Sequence, residues 1–355
     1  MRSSSQLTDG DHARRIARAM QWDQLVEEFR ALGGVAENVR LGTGPRGRGI
    51  FVIDPAKPAS LNIPRAITVP IETLGVEDGD IRVQRGRIDD RVASFYEHYE
   101  KYFGWSAGGR EEAFALQREW HELPPEIVAF LKTMGVLDHP EARFMPPEER
   151  VLVEGHVRAR MFQDSTGAFM IPMIDLVNHS SPVRGYVMDG GVGVTGTFAD
   201  EVLVRYNNFD AITMALHYGF ADLSIFAASI GITVDLPGGR RLTIARDLSV
   251  SETRNGIGFP VVTLNDNVIR FSYLMLGIIG VEDVPRAVFR SLMAPYIDRT
   301  AADQVFDGIA HFNRVRFINL LRTLRKYDGT LVRVLQETCI NQLEALSSCV
   351  GARTL

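Results

Sequence analysis

Cysteine is scarce in this chain: there are two, Cys339 and Cys349, both near the end. Two thiols are too few for a disulfide framework or a zinc cluster of the Cys-x-x-Cys type, and a reducing compartment fits. An excess of positive charge is also missing. The net charge is −5 and the isoelectric point is about 5.9. That balance argues against a broad nucleic-acid footprint, because a phosphate backbone calls for a basic face. Long hydrophobic runs are absent as well. The longest apolar stretch, FSYLMLGIIGV (271–281), falls well short of the roughly 20 residues a membrane span needs. The opening segment, MRSSSQLTDGDHARR, lacks the apolar core of a secretory signal. No internal repeat and no low-complexity stretch is present. These absences point to a cytoplasmic enzyme or binding protein with no membrane or nucleic-acid partner. At 355 residues the expectation is two or three domains.

What is present divides by periodicity. Residues 11–32 place Ile16, Met20 and Phe29 at helical spacing, and Gly33-Gly34 ends the run. From Val35 to Val52 short apolar runs flank the Gly-rich loop LGTGPRGRGIF, the pattern of strand, turn and strand. DRVASFYEHYEKYFGW and PPEIVAFLKTMGVL read as helices, and VLVEGHVRARMF as a third. GYVMDGGVGVTGTFADEVLVRY has strand spacing. ITVDL, RLTIARDL, PVVTL and VIRFSY follow, with PGG (237–239) and NDN (265–267) as turns. From about 283 the chain is helical, and Phe312, Val315, Ile318, Leu321 and Leu324 suggest an apolar stripe. The expected organisation is an α+β chain: an N-terminal helical arm over 1–34, a β-rich domain over 35–222 with a helical insertion at about 89–150, a β extension over 223–282, and a helical C-terminal domain over 283–355.

Three segments far apart in sequence stand out: RGRGIF (46–51), DLVNHS (175–180) and HYGF (217–220). Singly they are weak, since any tight turn uses glycine and Asn-His-Ser occurs by chance. In combination, order and spacing they resemble the SET domain, in the class related to the plant Rubisco large-subunit lysine methyltransferase. The resemblance covers about 35–222 well and 283–355 only by helical character. It implies a β-rich SET fold with a pseudoknot, a helical insertion, a mostly helical domain behind it, and S-adenosylmethionine as cofactor, leaving S-adenosylhomocysteine.

The resemblance assigns roles residue by residue. Gly47 and Gly49 either make a plain turn or let the loop backbone pass close over the cofactor, with the backbone around Arg46 and Arg48 as the contact. Asn178 and His179 correspond to a cofactor-contacting pair, and they also suit a buried polar pair at a chain crossing. Arg160, in RARMF, matches the arginine that serves the cofactor's carboxylate end, although Ala159 stands where the family has serine and Arg158 competes for the role. Asp175 falls near the cofactor. Tyr218 corresponds to the tyrosine at the point of methyl transfer. Phe220 either packs near the adenine or fills core. On the substrate side fall Tyr186 and Tyr206, the latter also a natural structural residue with a buried ring and one hydrogen bond. The family's Ser-Asn pair is replaced by Asp210-Ala211, which puts side-chain contacts from that turn in doubt. His179 has no second ligand at usable spacing, so no metal site is expected, and no cysteine-rich segment follows Phe220.

The reaction this implies is N-methylation of a protein lysine. Other acceptors on the same fold are a histidine or a small-molecule amine, and a catalytically silent SET-like interaction module is the alternative from another class. The basic residues Arg314, Arg316, Arg322, Arg325 and Lys326, with no acid between 311 and 326, form either a solvated face or a dock for an acidic protein surface.

Overall fold

The computed structural model describes residues 21–137, 144–248, 251–254 and 257–350, with the side chains of 251–254, 257–258 and 348–350 outside that description. The start of the expected 11–32 helix, including Ile16 and Met20, therefore lies outside the described residues, as does the Cys349 side chain. Within them the chain forms two compact units: Met1–Ala115 with Pro147–Tyr206, and Leu116–Pro146 with Asn207–Leu355. The segment expected as one insertion is thus shared, 89–115 going to the first unit and 116–146 to the second.

The first unit is β-rich. Val39–Gly44 and Gly47–Val52 form an antiparallel hairpin in which Gly44 faces Gly47 and Gly42 faces Gly49. Ala59–Pro64 is the centre of a three-stranded sheet between Val35–Glu37 and Gly191–Gly196. It alternates buried and half-buried residues, the period-2 pattern of a strand with one face on the core. The helix Asp90–Tyr102 starts where the Asp89 carboxylate accepts from the Arg91 and Val92 amides. Its buried residues, Val92, Phe95, Tyr96 and Tyr99, recur at steps of three and four and cover the sheet side of the core with Phe29, Phe103 and Trp105. The helix Glu149–Arg160 ends in Arg158 and Arg160, cations placed where the helix dipole favours them.

One connection in this unit is unusual. Asn178–His179 pairs in parallel with Leu203–Val204. On the other side the Val52 amide donates to Asp200 O and the Val202 amide to Ile50 O. Residues 200–204 therefore run between the Gly-loop hairpin and the Asn-His segment.

The second unit pairs Ile232–Asp235 with Arg241–Ile244 and Val262–Asn265 with Val268–Phe271, the two hairpins joining through the parallel pair Arg241–Ile244 and Val268–Phe271. Gly238, Gly239 and Asp266 take positive φ at the two turns. Helices Val284–Met293, Arg299–Leu324 and Thr330–Val350 complete the unit. None of the described helices is long and apolar enough to cross a membrane.

The expected apolar stripe needs correction. Phe312 and Val315 are each 39% exposed. The face that packs is Phe306, Ile309, Ala310, Asn313, Phe317, Leu320 and Leu324. A strict step of three drifts around a helix of 3.6 residues per turn, and a buried asparagine hides the true stripe from a hydrophobicity count. Asn313 is fully bonded: Oδ1 accepts from the Ile230 amide at 2.8 Å, and Nδ2 donates to Ser229 Oγ and Ile309 O. The basic residues on this helix are not uniformly solvated. Arg316 lies over the Phe130 ring and donates to Thr133, whereas Lys326, past the helix end, stays exposed while it pairs with Glu126.

Candidate functional site

The Gly loop uses its two glycines for different reasons. Gly47 has φ +89°, a left-handed backbone that follows the Pro45-Arg46 turn and that only glycine takes without strain. Gly49 needs no special φ but has no room for a side chain: a Cβ there would sit 2.5 Å from Asn178 Nδ2 and 3.0 Å from Glu201 Oε1. The space is filled by the protein's own amide, where the family resemblance suggested close approach to the cofactor.

Asn178 gathers this corner. Its Nδ2 donates to Arg48 O at 3.1 Å and to Glu201 Oε1 at 2.7 Å. Glu201, whose side chain is 7% exposed, also holds Arg46 by a 3.0 Å ion pair. Arg46 thus acts through its side chain, tying down the loop. His179 is buried, and its Nδ1 accepts from the Tyr206 amide at 3.1 Å. That bond places the proton of a neutral imidazole on Nε2. The Tyr206 hydroxyl donates to Val177 O at 2.7 Å, the buried-ring, one-bond arrangement of a structural tyrosine. Tyr186 stacks on it with ring centroids 6.3 Å apart.

A second group lies in the same unit. The Asp175 side chain is 3% exposed. The Tyr99 hydroxyl donates to its Oδ1 at 2.5 Å, while Oδ2 has no hydrogen-bond partner among the described residues and Arg160 Nε stands off at 3.8 Å. Burial pushes the Asp175 carboxyl up to about 7 against the opposing pull of Arg160 and Tyr99. Of the two arginines that end the helix, Arg160 is the one paired with Asp175. Met173, two residues earlier, is fully buried at φ +71°, backbone strain of the kind that gathers at functional segments. Deeper in, Glu100 Oε2 accepts from the Trp105 amide at 2.7 Å and lies 3.3 Å from His156 Nε2. Burial holds His156 below the usual histidine range.

Tyr218 belongs to the second unit. It ends the helix Ala211–Tyr218, which Asp210 starts by accepting from the Thr213 amide and which Gly219 stops at φ +78°. The Tyr-Gly-Phe motif is thus a helix C-terminus. Burial pushes the Tyr218 phenol up to about 12, and Phe220 stacks on its ring at 5.9 Å. The Tyr218 oxygen accepts from Asn207 Nδ2 at 3.2 Å. The turn with Asp210-Ala211 does make side-chain contacts, through Asn207 and through Asp210, which pairs with the buried Arg246.

Arg46, Arg48, Gly49, Asn178 and His179 therefore meet in one corner of the first unit, Arg160 and Asp175 in another group there, and Tyr218 with Phe220 in the second unit. Sequence reasoning missed Glu201, Tyr99 and Asn207. Tyr99 carried a usable signal, since it lies three residues after Tyr96 on an apolar helical face. Asn207 carried one too, being two residues before an amide it can cap. Glu201, in FADEVLV, carried none. Among the described residues no group of three or more His, Cys, Asp or Glu could hold a metal ion.

No family model matches the chain. An uncharacterised protein of Aquifex aeolicus (strain VF5) is 28% identical over 103 residues, 29% of this chain and 84% of that protein. Among solved structures, the chain is similar to Rubisco LSMT bound to AdoMet, at 14% identity and a TM-score of 0.44, covering 93% of this chain and 91% of that one. It is also similar to the SET domain of LSMT bound to lysine and AdoHcy, at 12% identity and a TM-score of 0.40, covering 94% and 90%.

Proposed function

We propose that the chain is an S-adenosylmethionine-dependent N-methyltransferase of the SET type, acting on a lysine side chain of a protein. The observation that carries this reading is the meeting of the first two motifs: Asn178 bonds to the backbone of the Gly loop at Arg48, 130 residues away in sequence. The contact supports the resemblance by bringing together two of its motifs, and it also satisfies a buried polar group where the chain crosses itself.

The residues suit such a cofactor. Its amino-acid end carries an ammonium and a carboxylate. Arg160 and Asp175, whose Oδ2 makes no hydrogen bond among the described residues, put a guanidinium and a carboxyl in one group. When bound, S-adenosylmethionine would supply an electrophilic methyl group, so the acceptor must arrive as a neutral amine. A lysine has a reference pKa near 10.4, and losing its proton at pH 7 costs roughly 4.6 kcal/mol. Burial of the amine and a neighbouring positive charge both reduce that cost. Tyr218, with its phenol near 12, stays protonated at neutral pH and is no base. We assign it to orienting the amine by hydrogen bonding, and much of the acceleration to alignment.

The test is calorimetric titration of the folded protein with S-adenosylmethionine and S-adenosylhomocysteine. The expected result is saturable binding that Asn178→Ala weakens by about tenfold, the loss of one or two partly buried hydrogen bonds. A folded protein that binds neither compound would overturn the reading. With binding in hand, labelled methyl transfer to free lysine, free histidine and protein acceptors separates the acceptor classes.

A further inference from the structure

We propose that Asn207 is a positioning residue that fixes the direction of the Tyr218 hydroxyl proton. The inference rests on the assignment of Tyr218 to methyl transfer and adds to it a residue that no motif marks.

An asparagine amide is two-faced, and which end points where decides what its neighbour does. At Asn207 the choice is settled inside the turn. Oδ1 accepts from the Phe209 amide at 3.0 Å, a bond only the oxygen can make. Nδ2 is therefore the end that faces Tyr218, at 3.2 Å. An amide nitrogen is donor only, so the phenol oxygen accepts. A phenol proton prefers the ring plane and has two positions there. With Asn207 donating to the oxygen, the phenol proton is directed away from Asn207. The tyrosine is held from the other end as well. Its helix begins at Asp210 and stops at Gly219, and Phe220 lies against its ring. Nothing in this geometry is needed to close the helix, since Asp210 already caps it. The bond from Asn207 also satisfies the buried phenol, and its product is a hydroxyl with a defined polarity.

Asn207→Asp tests this with one atom changed in kind. The aspartate keeps the acceptor that the Phe209 amide needs, so the turn survives. Its second oxygen faces the phenol and can only accept, so the Tyr218 proton must swing towards it. Two readouts follow. First, with 3-fluorotyrosine placed at position 218 alone, a fluorine NMR titration reads that phenol directly. Replacing a donor by a negative acceptor should raise its pKa by about one unit or more. Second, labelled methyl transfer to free lysine should fall at least about tenfold at saturating lysine. In the Tyr218→Phe background, where no hydroxyl is left to orient, the same substitution should cost nothing further.

An unchanged or lowered phenol pKa would overturn the polarity. A rate loss that persists in the Tyr218→Phe background would overturn the positioning role and show a general disturbance instead. A wild-type protein that transfers no methyl group would defeat the reaction assigned to Tyr218, and the fluorine titration would still decide which way its hydroxyl points.

Discussion

Asp175 in the first unit and Asp210 in the second are both buried carboxylates with an arginine for neighbour, and their surroundings differ in completeness. Asp210 accepts from the Thr213 amide and hydroxyl, the Ala228 amide, Gln342 Nε2 and twice from Arg246 Nη2. Arg246 Nη2 also reaches Thr213 Oγ1, and its Nη1 donates to Ala228 O and Ser229 O. Asp175 has one hydrogen bond, from Tyr99 to Oδ1, and an Oδ2 that makes none among the described residues, with an arginine 3.8 Å away. A buried charge pair with every lone pair answered ties elements together: Asp210 joins a helix start, a strand, the 245–247 loop and the last helix. One with an atom left over is a costly way to hold a fold together, and the leftover atom points to a ligand or a titration.

The largest way to break this comparison is at its complete end. Arg246→Met should destabilise the protein by about 3–5 kcal/mol, because it strands a buried carboxylate among donors too weak to replace a charge. Urea unfolding measures this, and a loss under about 1 kcal/mol would mean that the network is decoration.

The incomplete end should answer to pH. Asp175 has a folded pKa near 7 and an unfolded reference near 3.8. Between those values the folded state keeps a proton that the unfolded state gives up, so this group's contribution falls as pH rises from about 4 to about 7. The full penalty, on the order of 2–4 kcal/mol, is present above pH 7. Asp175→Asn has no such proton. Its stability relative to wild type should rise across that window, as read by urea unfolding at a series of pH values, and parallel curves would sink the idea.

Gly49→Ala comes next in size. The new methyl group must displace Asn178 or Glu201, at an overpacking cost of about 1–3 kcal/mol. It should show as weaker cofactor binding in calorimetry. The smallest effect belongs at the surface. Glu126 pairs with Lys326 and accepts from Tyr327, and both charged side chains are exposed. Glu126→Gln should leave the melting temperature within error, as exposed pairs do.

How much of this the sequence disclosed depends on the range of the interaction. Hairpins with Gly-Pro or Asn-Asp-Asn turns and the helical stretch DRVASFYEHYEKYFGW announce themselves locally, and the structure has two strands around each turn and the helix Asp90–Tyr102. Asn178 was legible through its motif. Its partner Glu201 was not, because a glutamate before a strand is an ordinary surface residue until something 155 positions earlier, Arg46, is folded against it. The helix Arg299–Leu324 misled for a related reason. Asn313 looks solvated in sequence and is buried because Ser229 and the Ile230 amide, over 80 positions away, need it.

The strand that runs between the Gly loop and the Asn-His segment also has a consequence for the life of the chain on the ribosome. At synthesis rates of about 5–20 residues per second, the stretch from Arg46 to Glu201 takes roughly 8–30 s to emerge. For all of that time the Gly-loop hairpin can exist, yet it lacks the neighbour that gives it a shape. A nascent chain arrested before Glu201 would carry the loop and no corner to put it in. The corner can therefore close only late in synthesis, once Glu201 has emerged to reach both Arg46 and Asn178.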